Sequence, residues 1–209
     1  MRDAYLEAVD SAIGLLSAQP VADQWGRPSC LADWSVGGLA AHLASQVSLT
    51  ARVLASPAGR QQPIPLLEHY ARAAWVRADV DDEVNVSIRA SADAVSAAGP
   101  AKLLAQTRQA RADVAVTLDE QPLDRVFVIP WQGWALTLHD YLVTRMMEIA
   151  VHSDDLAVSI GVEPPRLPDQ VLDPVLTLLA GLAVQRHGQP AVLRAFARKE
   201  RAPSSVAAF

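Results

Sequence analysis

The chain has 209 residues, 51% of them hydrophobic and 20% charged, which is too apolar for intrinsic disorder and enough for one core that buries about 70% of the unfolded surface without a disulfide or metal. Eighteen Lys+Arg against 23 Asp+Glu give a net charge of −5, the wrong sign for a general nucleic-acid binder. The one cysteine, Cys30, excludes an internal disulfide and any multi-cysteine metal site and fits a reducing cytosol.

The first ten residues carry Asp3, Glu7 and Asp10 where a secretion signal would be apolar, and the longest apolar run, Val175–Val184, is half the length of a membrane span. The expected location is cytoplasmic. Leu6, Val9, Ile13 and Leu16 recur at helical spacing, and Pro20 ends that segment. A loop over 22–34 leads to Ser35, an N-cap for a second helix running to about Ala55 with Leu39, His42, Leu43 and Gln46 on its inner face. A third helical stretch runs from Leu66 to about Ala98, with a break near Asp81-Asp82, and Gly99-Pro100 stops it. A fourth carries Leu103, Leu104, Ala110, Val114 and Leu118 on one side and ends at Pro122. Arg125–Gln132 is β-branched and aromatic and reads as a short extended segment or hairpin. Thr137 or Leu138 opens a long helix to about Ser159, closed by Gly161. Beyond it come a helix from about Pro168 to His187 and a basic helix from Ala191 to about Arg201. Long amphipathic segments with little strand signal predict an all-α helix bundle.

The chemistry concentrates in Tyr141–Gly161. Glu148 and His152, four residues apart on a helix, share a face at about 40° of rotation, and their neighbours Met146, Met147, Ile149, Ala150 and Val151 are apolar. A carboxylate and an imidazole in such company need partners. They could hydrogen-bond each other; Arg145 could ion-pair with Glu148 at i,i+3; or a divalent metal could take both. His42, taken alone, reads as a satisfied core histidine. Taken with Glu148 and His152 it completes a two-histidine, one-carboxylate set that leaves a metal coordination position open. Asp155, three residues after His152, could accept the second ring N–H of that histidine. Gln46 could line the pocket. Trp131, Gln132 and Trp134 could wall a substrate cavity or serve as plain core. His139 points to the opposite face, His69 and His187 read as surface, and Cys30 reads as structural.

The segments Trp34-Ser35-Val36-x-x-Leu39-x-x-His42-Leu43 and Arg145-x-x-Glu148-x-x-Val151-His152-x-x-Asp155-Leu156 resemble the DinB-like superfamily and, within it, the mycothiol-dependent maleylpyruvate isomerase family. The resemblance spans about residues 1–160. It implies a DinB-like four-helix bundle over 1–160 with a short C-terminal helical extension over 161–209. It also implies a divalent metal, usually zinc, on His42, Glu148 and His152, and mycothiol as thiol co-substrate. Two neutral imidazoles and one carboxylate would leave bound Zn²⁺ at about +1, and a thiol that coordinates zinc is deprotonated. The catalytic group would then be the metal-activated thiolate, with Asp155 and Arg145 as supporting residues. In the basic tail, Arg194 and Arg198 are candidates for clamping a carboxylate or sugar hydroxyls of the thiol.

The extension is shorter than the C-terminal domain of the family's isomerase, so the leading expectation is an S-transferase acting on a small electrophile. The alternatives are a cis–trans isomerase of the maleylpyruvate isomerase type and a non-catalytic metal- or small-molecule-binding bundle. Expected partners are the electrophile and the low-molecular-weight thiol, with a homodimer as an open option and neither nucleic acid nor a membrane.

Overall fold

Four helices close into a ring. The structure, a computed structural model, describes the backbone of residues 1–209 and the side chains of all but Arg77. Helix α1 (Arg2–Leu16) packs on α7 (Leu138–Ile160), α7 on α3 (Val36–Ala55), α3 on α6 (Pro100–Asp119), and α6 back on α1. This is the all-α bundle that the apolar periodicity predicted. Helix α5 (Glu83–Ser96) lies against the outside of α3, and α8 (Asp169–His187) covers α7 and α1. The short α2 (Gln19–Asp23) and α4 (Leu66–Arg72) sit in the connections, and α9 (Gln189–Ala197) folds back on α8. Among the described residues no helix is long and apolar enough to cross a membrane.

The local signals decide most boundaries. The Ser35 hydroxyl accepts from the Gly38 amide at 2.9 Å and caps α3. Thr137 does the same for α7 from the Asp140 amide at 3.1 Å. Gly161, at φ 72°, ends α7 in the left-handed conformation that a helix stop favours. The break in the third stretch falls after α4, where a 3₁₀ turn over Ala74–Arg77 intervenes before α5. Two expectations shift. Pro20 does not merely end α1 but stands in the first turn of α2, where its missing N–H costs nothing. The buried stripe of α1 is centred on Tyr5, Val9, Ala12 and Leu16, with Leu6 and Ile13 only partly covered.

The extended segment is a hairpin. Strand β1 (Val126–Val128) pairs antiparallel with β2 (Ala135–Thr137) in the register Val126–Thr137, Phe127–Leu136 and Val128–Ala135. Phe127 meets Tyr141 of α7 edge-to-face at 5.1 Å, so the hairpin fixes how α7 enters the bundle. Arg125, just before β1, reaches across to donate to the Leu54 carbonyl at 3.2 Å and to that of Ser56, satisfying carbonyls at the end of α3 with a cation.

At the other end of α3, Gly37 and Gly38 allow a close approach. A Cβ on Gly37 would lie 2.7 Å from the Trp25 ring, and one on Gly38 would lie 2.7 Å from Asp93 Oδ1. Trp25 is pinned there by its indole N–H donating to the Ser96 carbonyl at 3.2 Å. Gly37→Ala is therefore expected to destabilise by about 1–3 kcal/mol through overpacking, reversing the gain of up to about 1 kcal/mol that alanine gives inside a helix. Urea unfolding monitored by circular dichroism checks the sign.

Candidate metal centre

Helices α3 and α7 face each other along the bundle, and the three expected donors meet between them. His42 Nε2 lies 3.6 Å from Glu148 Oε2, and His152 Nε2 lies 3.2 Å from the same oxygen. One ligand atom from each residue falls within 4.8 Å of the others. The two imidazoles stand nearly perpendicular, ring centres 4.7 Å apart. Their side chains are 19% and 18% exposed and that of Glu148 12%, so the cluster is sheltered yet reachable from one side.

Local structure places each donor. Asp33 takes a positive φ of 62°, a conformation aspartate tolerates, and the chain turns so that Trp34 meets His42 at 5.3 Å. On α7, the i,i+4 relation brings Glu148 and His152 together. Asp155 Oδ2 lies 3.0 Å from His152 Nδ1; a carboxylate can only accept there, so Nδ1 carries the proton and Nε2 is turned towards Glu148. Cys30 is exposed, and its thiol donates to the Asp155 carbonyl at 3.2 Å, which fastens the loop before α3 to α7.

The donors fit a divalent cation. Two ligands about 2.05 Å from a tetrahedral zinc are about 3.3 Å apart, which the observed 3.2 and 3.6 Å bracket. The longer distance is beyond a hydrogen bond, so a direct His42–Glu148 bond does not account for the pair. Nitrogen and carboxylate donors suit zinc and several of its neighbours.

The charges interlock. Burial acts to raise the Glu148 pKa, but the facing His152 and His42 imidazoles and the nearby Arg145 charge hold it well below the usual carboxylate range. Burial lowers His42, only partly offset by Glu148. His152 is also disfavoured as a cation by burial, yet Asp155 and Glu148 together push it up to about 9.

Arg145 corrects the expectation of an i,i+3 ion pair. Among the described residues it makes no salt bridge with Glu148. Its guanidinium lies 5.2 Å over the Tyr141 ring and donates to Gln46 Oε1 at 2.6 Å and to Thr144 Oγ1 at 3.0 Å. Gln46 is buried on α3 and donates back to the His42 carbonyl at 2.9 Å. Arg145 therefore ties α7 to α3 one turn away from the three donors.

His69 is a second correction. It is buried, not at the surface, and its Nδ1 accepts from Trp134 Nε1 at 3.0 Å. Burial, with the Arg145 charge, lowers its pKa to about 4, so it is neutral at physiological pH. A signal for it was present: His69 stands three residues after Leu66 and next to Tyr70 and ahead of Ala73, on the inner side of a short amphipathic helix. The hydroxyls of the adjacent Tyr70 and of Tyr141 are buried and have no hydrogen-bond partner among the described residues. Trp134 is thus a core residue with a polar role, whereas Trp131 is exposed, with Arg52 5.8 Å from its ring. Gln132 Oε1 is buried with no hydrogen-bond partner among the described residues. His139 is exposed beside Asp140, as its register predicted, and His187 contacts the Ala207 carbonyl. Arg194 is exposed on α9 and Arg198 just past its end, where the expected basic helix stops short of Arg201, and among the described residues neither shares a hydrogen bond or ion pair with the three donors.

No curated protein matches the chain. A crystal structure of a histidine-to-alanine variant of mycothiol-dependent maleylpyruvate isomerase superposes with a TM-score of 0.50 at 19% identity, covering 89% of this chain and 70% of that one. That likeness is one of fold and makes the bundle DinB-like. The sequence profile described as "Mycothiol maleylpyruvate isomerase N-terminal domain" matches residues 6–157, a span that holds His42, Glu148 and His152. By that match the chain belongs to the mycothiol maleylpyruvate isomerase N-terminal domain family.

Proposed function

We propose that this protein is a divalent-metal-dependent enzyme that uses mycothiol as a nucleophile towards a small electrophile, with S-transfer as the outcome. Residues 1–160 form the metal-binding bundle and 161–209 its helical extension. The observation that carries the reading is the convergence of His42, Glu148 and His152 at co-ligand spacing, with the His152 tautomer set by Asp155. Family membership supplies the thiol.

A zinc-like cation, when bound, supplies the positive charge that keeps a coordinated thiol deprotonated at neutral pH. The chain's own residues prepare for that. Glu148 stays ionised and offsets part of the charge, while His42, kept neutral by its burial, offers a lone pair. Asp155 holds the His152 ring so that Nε2 faces inward. Arg145, anchored on Gln46, fixes the separation of α3 and α7. The thiolate sulfur forms a C–S bond to the electrophilic carbon, the displaced electron pair leaves with the leaving group or takes up a proton, and the S-conjugate departs.

The family name favours a second reading, in which sulfur adds to a double bond, the former double bond rotates, and sulfur leaves again. Both begin with the same addition. Incubation of the metal-loaded protein with mycothiol and a bromobimane is expected to yield the bimane conjugate faster than the metal-free protein does. Isomerisation of maleylpyruvate with no net loss of thiol would assign the isomerase outcome. Bound metal without acceleration of either reaction would reduce the protein to a binding bundle.

A further inference from the structure

Exposed apolar side chains scattered singly need no explanation, but a contiguous set does. On the face of α8 and α9 turned away from the bundle, Leu176, Leu193 and Phe196 are 52%, 60% and 70% exposed. A groove of about 260 Å³ runs beside them, floored by Leu176, Leu179 and Ala183 of α8 and flanked by Phe196 and Val206. Its polar rim is split by sign. Asp169 and Asp173 are exposed at the start of α8, while Arg186 is exposed at its end and Arg194 just past the Gly188 corner. Among the described residues none of these four is in an ion pair. Asp169 and Arg186 are separated by about 26 Å along the helix axis, well beyond the Debye length of about 8 Å, so they cannot pair within one chain.

We propose that this face binds a second copy of the same chain, α8 against α8 in antiparallel orientation about a two-fold axis. A two-fold axis turns the split rim into a complementary one, because each acidic end then meets the partner's basic end. The register follows from the apolar stripe. Leu176 set against the partner's Leu179 brings Asp169 level with the partner's Arg186. Phe196 of each copy lies at the other's groove. Two helices side by side, α8 about 28 Å long and the pair about 20 Å wide, offer on the order of 500 Å² per copy. That is below the roughly 800 Å² of a standard interface, in the range of weak and transient association.

Sedimentation equilibrium of the full chain from about 5 to 200 µM tests this. The average mass should rise from that of the 22.4 kDa chain towards twice it. Phe196→Glu, at a site too exposed to unfold the protein, should weaken association at least about tenfold with an unchanged circular dichroism spectrum. Two further variants read the geometry: Asp169→Arg with Asp173→Arg, and Arg186→Glu with Arg194→Glu. Each alone should stay monomeric, because like charges meet at both ends. An equimolar mixture should dimerise, because both ends are again opposite. A wild-type chain still monomeric at 200 µM overturns the proposal, as does a dimer indifferent to Phe196→Glu or a mixture that stays monomeric. Binding to neutral phosphatidylcholine vesicles in place of self-association would assign the face to lipid and also overturn it.

Discussion

His42→Ala and His152→Ala are each expected to abolish stoichiometric metal binding, taking the purified protein from about one divalent ion per chain to a trace, and with it the thiol-transfer activity. Each substitution removes one of three donors that lie within 4.8 Å of one another, two of them at co-ligand distance from the Glu148 carboxylate. Asp155→Asn should be milder. It leaves the donors in place but loosens the His152 ring, and supporting carboxylates of this kind are worth about 10–100-fold in metal affinity. The order of the three variants is the diagnostic, because a merely structural cluster would not rank them so. Elemental analysis and chelator competition give the affinities independently of any assay of turnover. Zinc should also raise the melting temperature of the wild type, since about 4 kcal/mol follows from a thousandfold excess over Kd, on the order of 10 °C for a chain this long. Full metal content in a protein carrying both substitutions would end the reading.

The metal-free protein should lose stability as pH rises towards 9, and the metal-loaded protein should not. In the metal-free protein His152 holds its proton up to about 9, against an ordinary 6.5. The folded state therefore binds that proton more tightly than the unfolded chain does. The stabilisation is complete below pH 6.5 and is lost as pH rises through about 9, on the order of 3 kcal/mol. The other shifted groups of the cluster fall outside this window. Glu148 is depressed, so its contribution is present above 4.5 and fades only as pH falls further. His42 and His69 are lowered, so their protonation opposes folding below 6.5 and is silent above it. Metal binding requires His152 Nε2 without a proton, so affinity should rise across the window in which the metal-free protein weakens. Denaturant unfolding at pH 6.5 and 9, with zinc and with chelator, reads both slopes. His152→Gln should flatten the metal-free slope; an unchanged slope in that variant would show that another group carries it.

Much of the site was legible because a helix converts spacing into geometry. Glu148, His152 and Asp155 share one face of α7 at offsets of four and three, and the structure joins them in sequence through 3.2 and 3.0 Å contacts. His42 was legible only through its motif and its place on the inner side of α3, since no periodicity links positions 106 residues apart. The errors have physical causes too. Helical side chains lean towards the N-terminus of their helix. Arg145 consequently lies back over Tyr141, four residues earlier, and not forward onto Glu148. From there it is within reach of Gln46 on the facing helix. His69 looked superficial because Glu68 and Arg72 surround it in sequence, but those two pair with each other on the outer face of α4 while His69 turns inward to Trp134.

The amino-acid order by itself determined the helices, their caps at Ser35 and Thr137, the stop at Gly161 and the hairpin before α7, because each depends on backbone preferences within a few residues. It also determined which face of α7 carries charge. Only the tertiary structure decided that α3 lies beside α7 at the register where residue 42 meets residues 148 and 152, that an arginine on one helix is satisfied by a glutamine on the other, and that α8 and α9 leave an apolar face uncovered. Those outcomes come from packing whole helices at once, where burying the common core sets the alignment and each polar side chain takes the partner that alignment brings within reach.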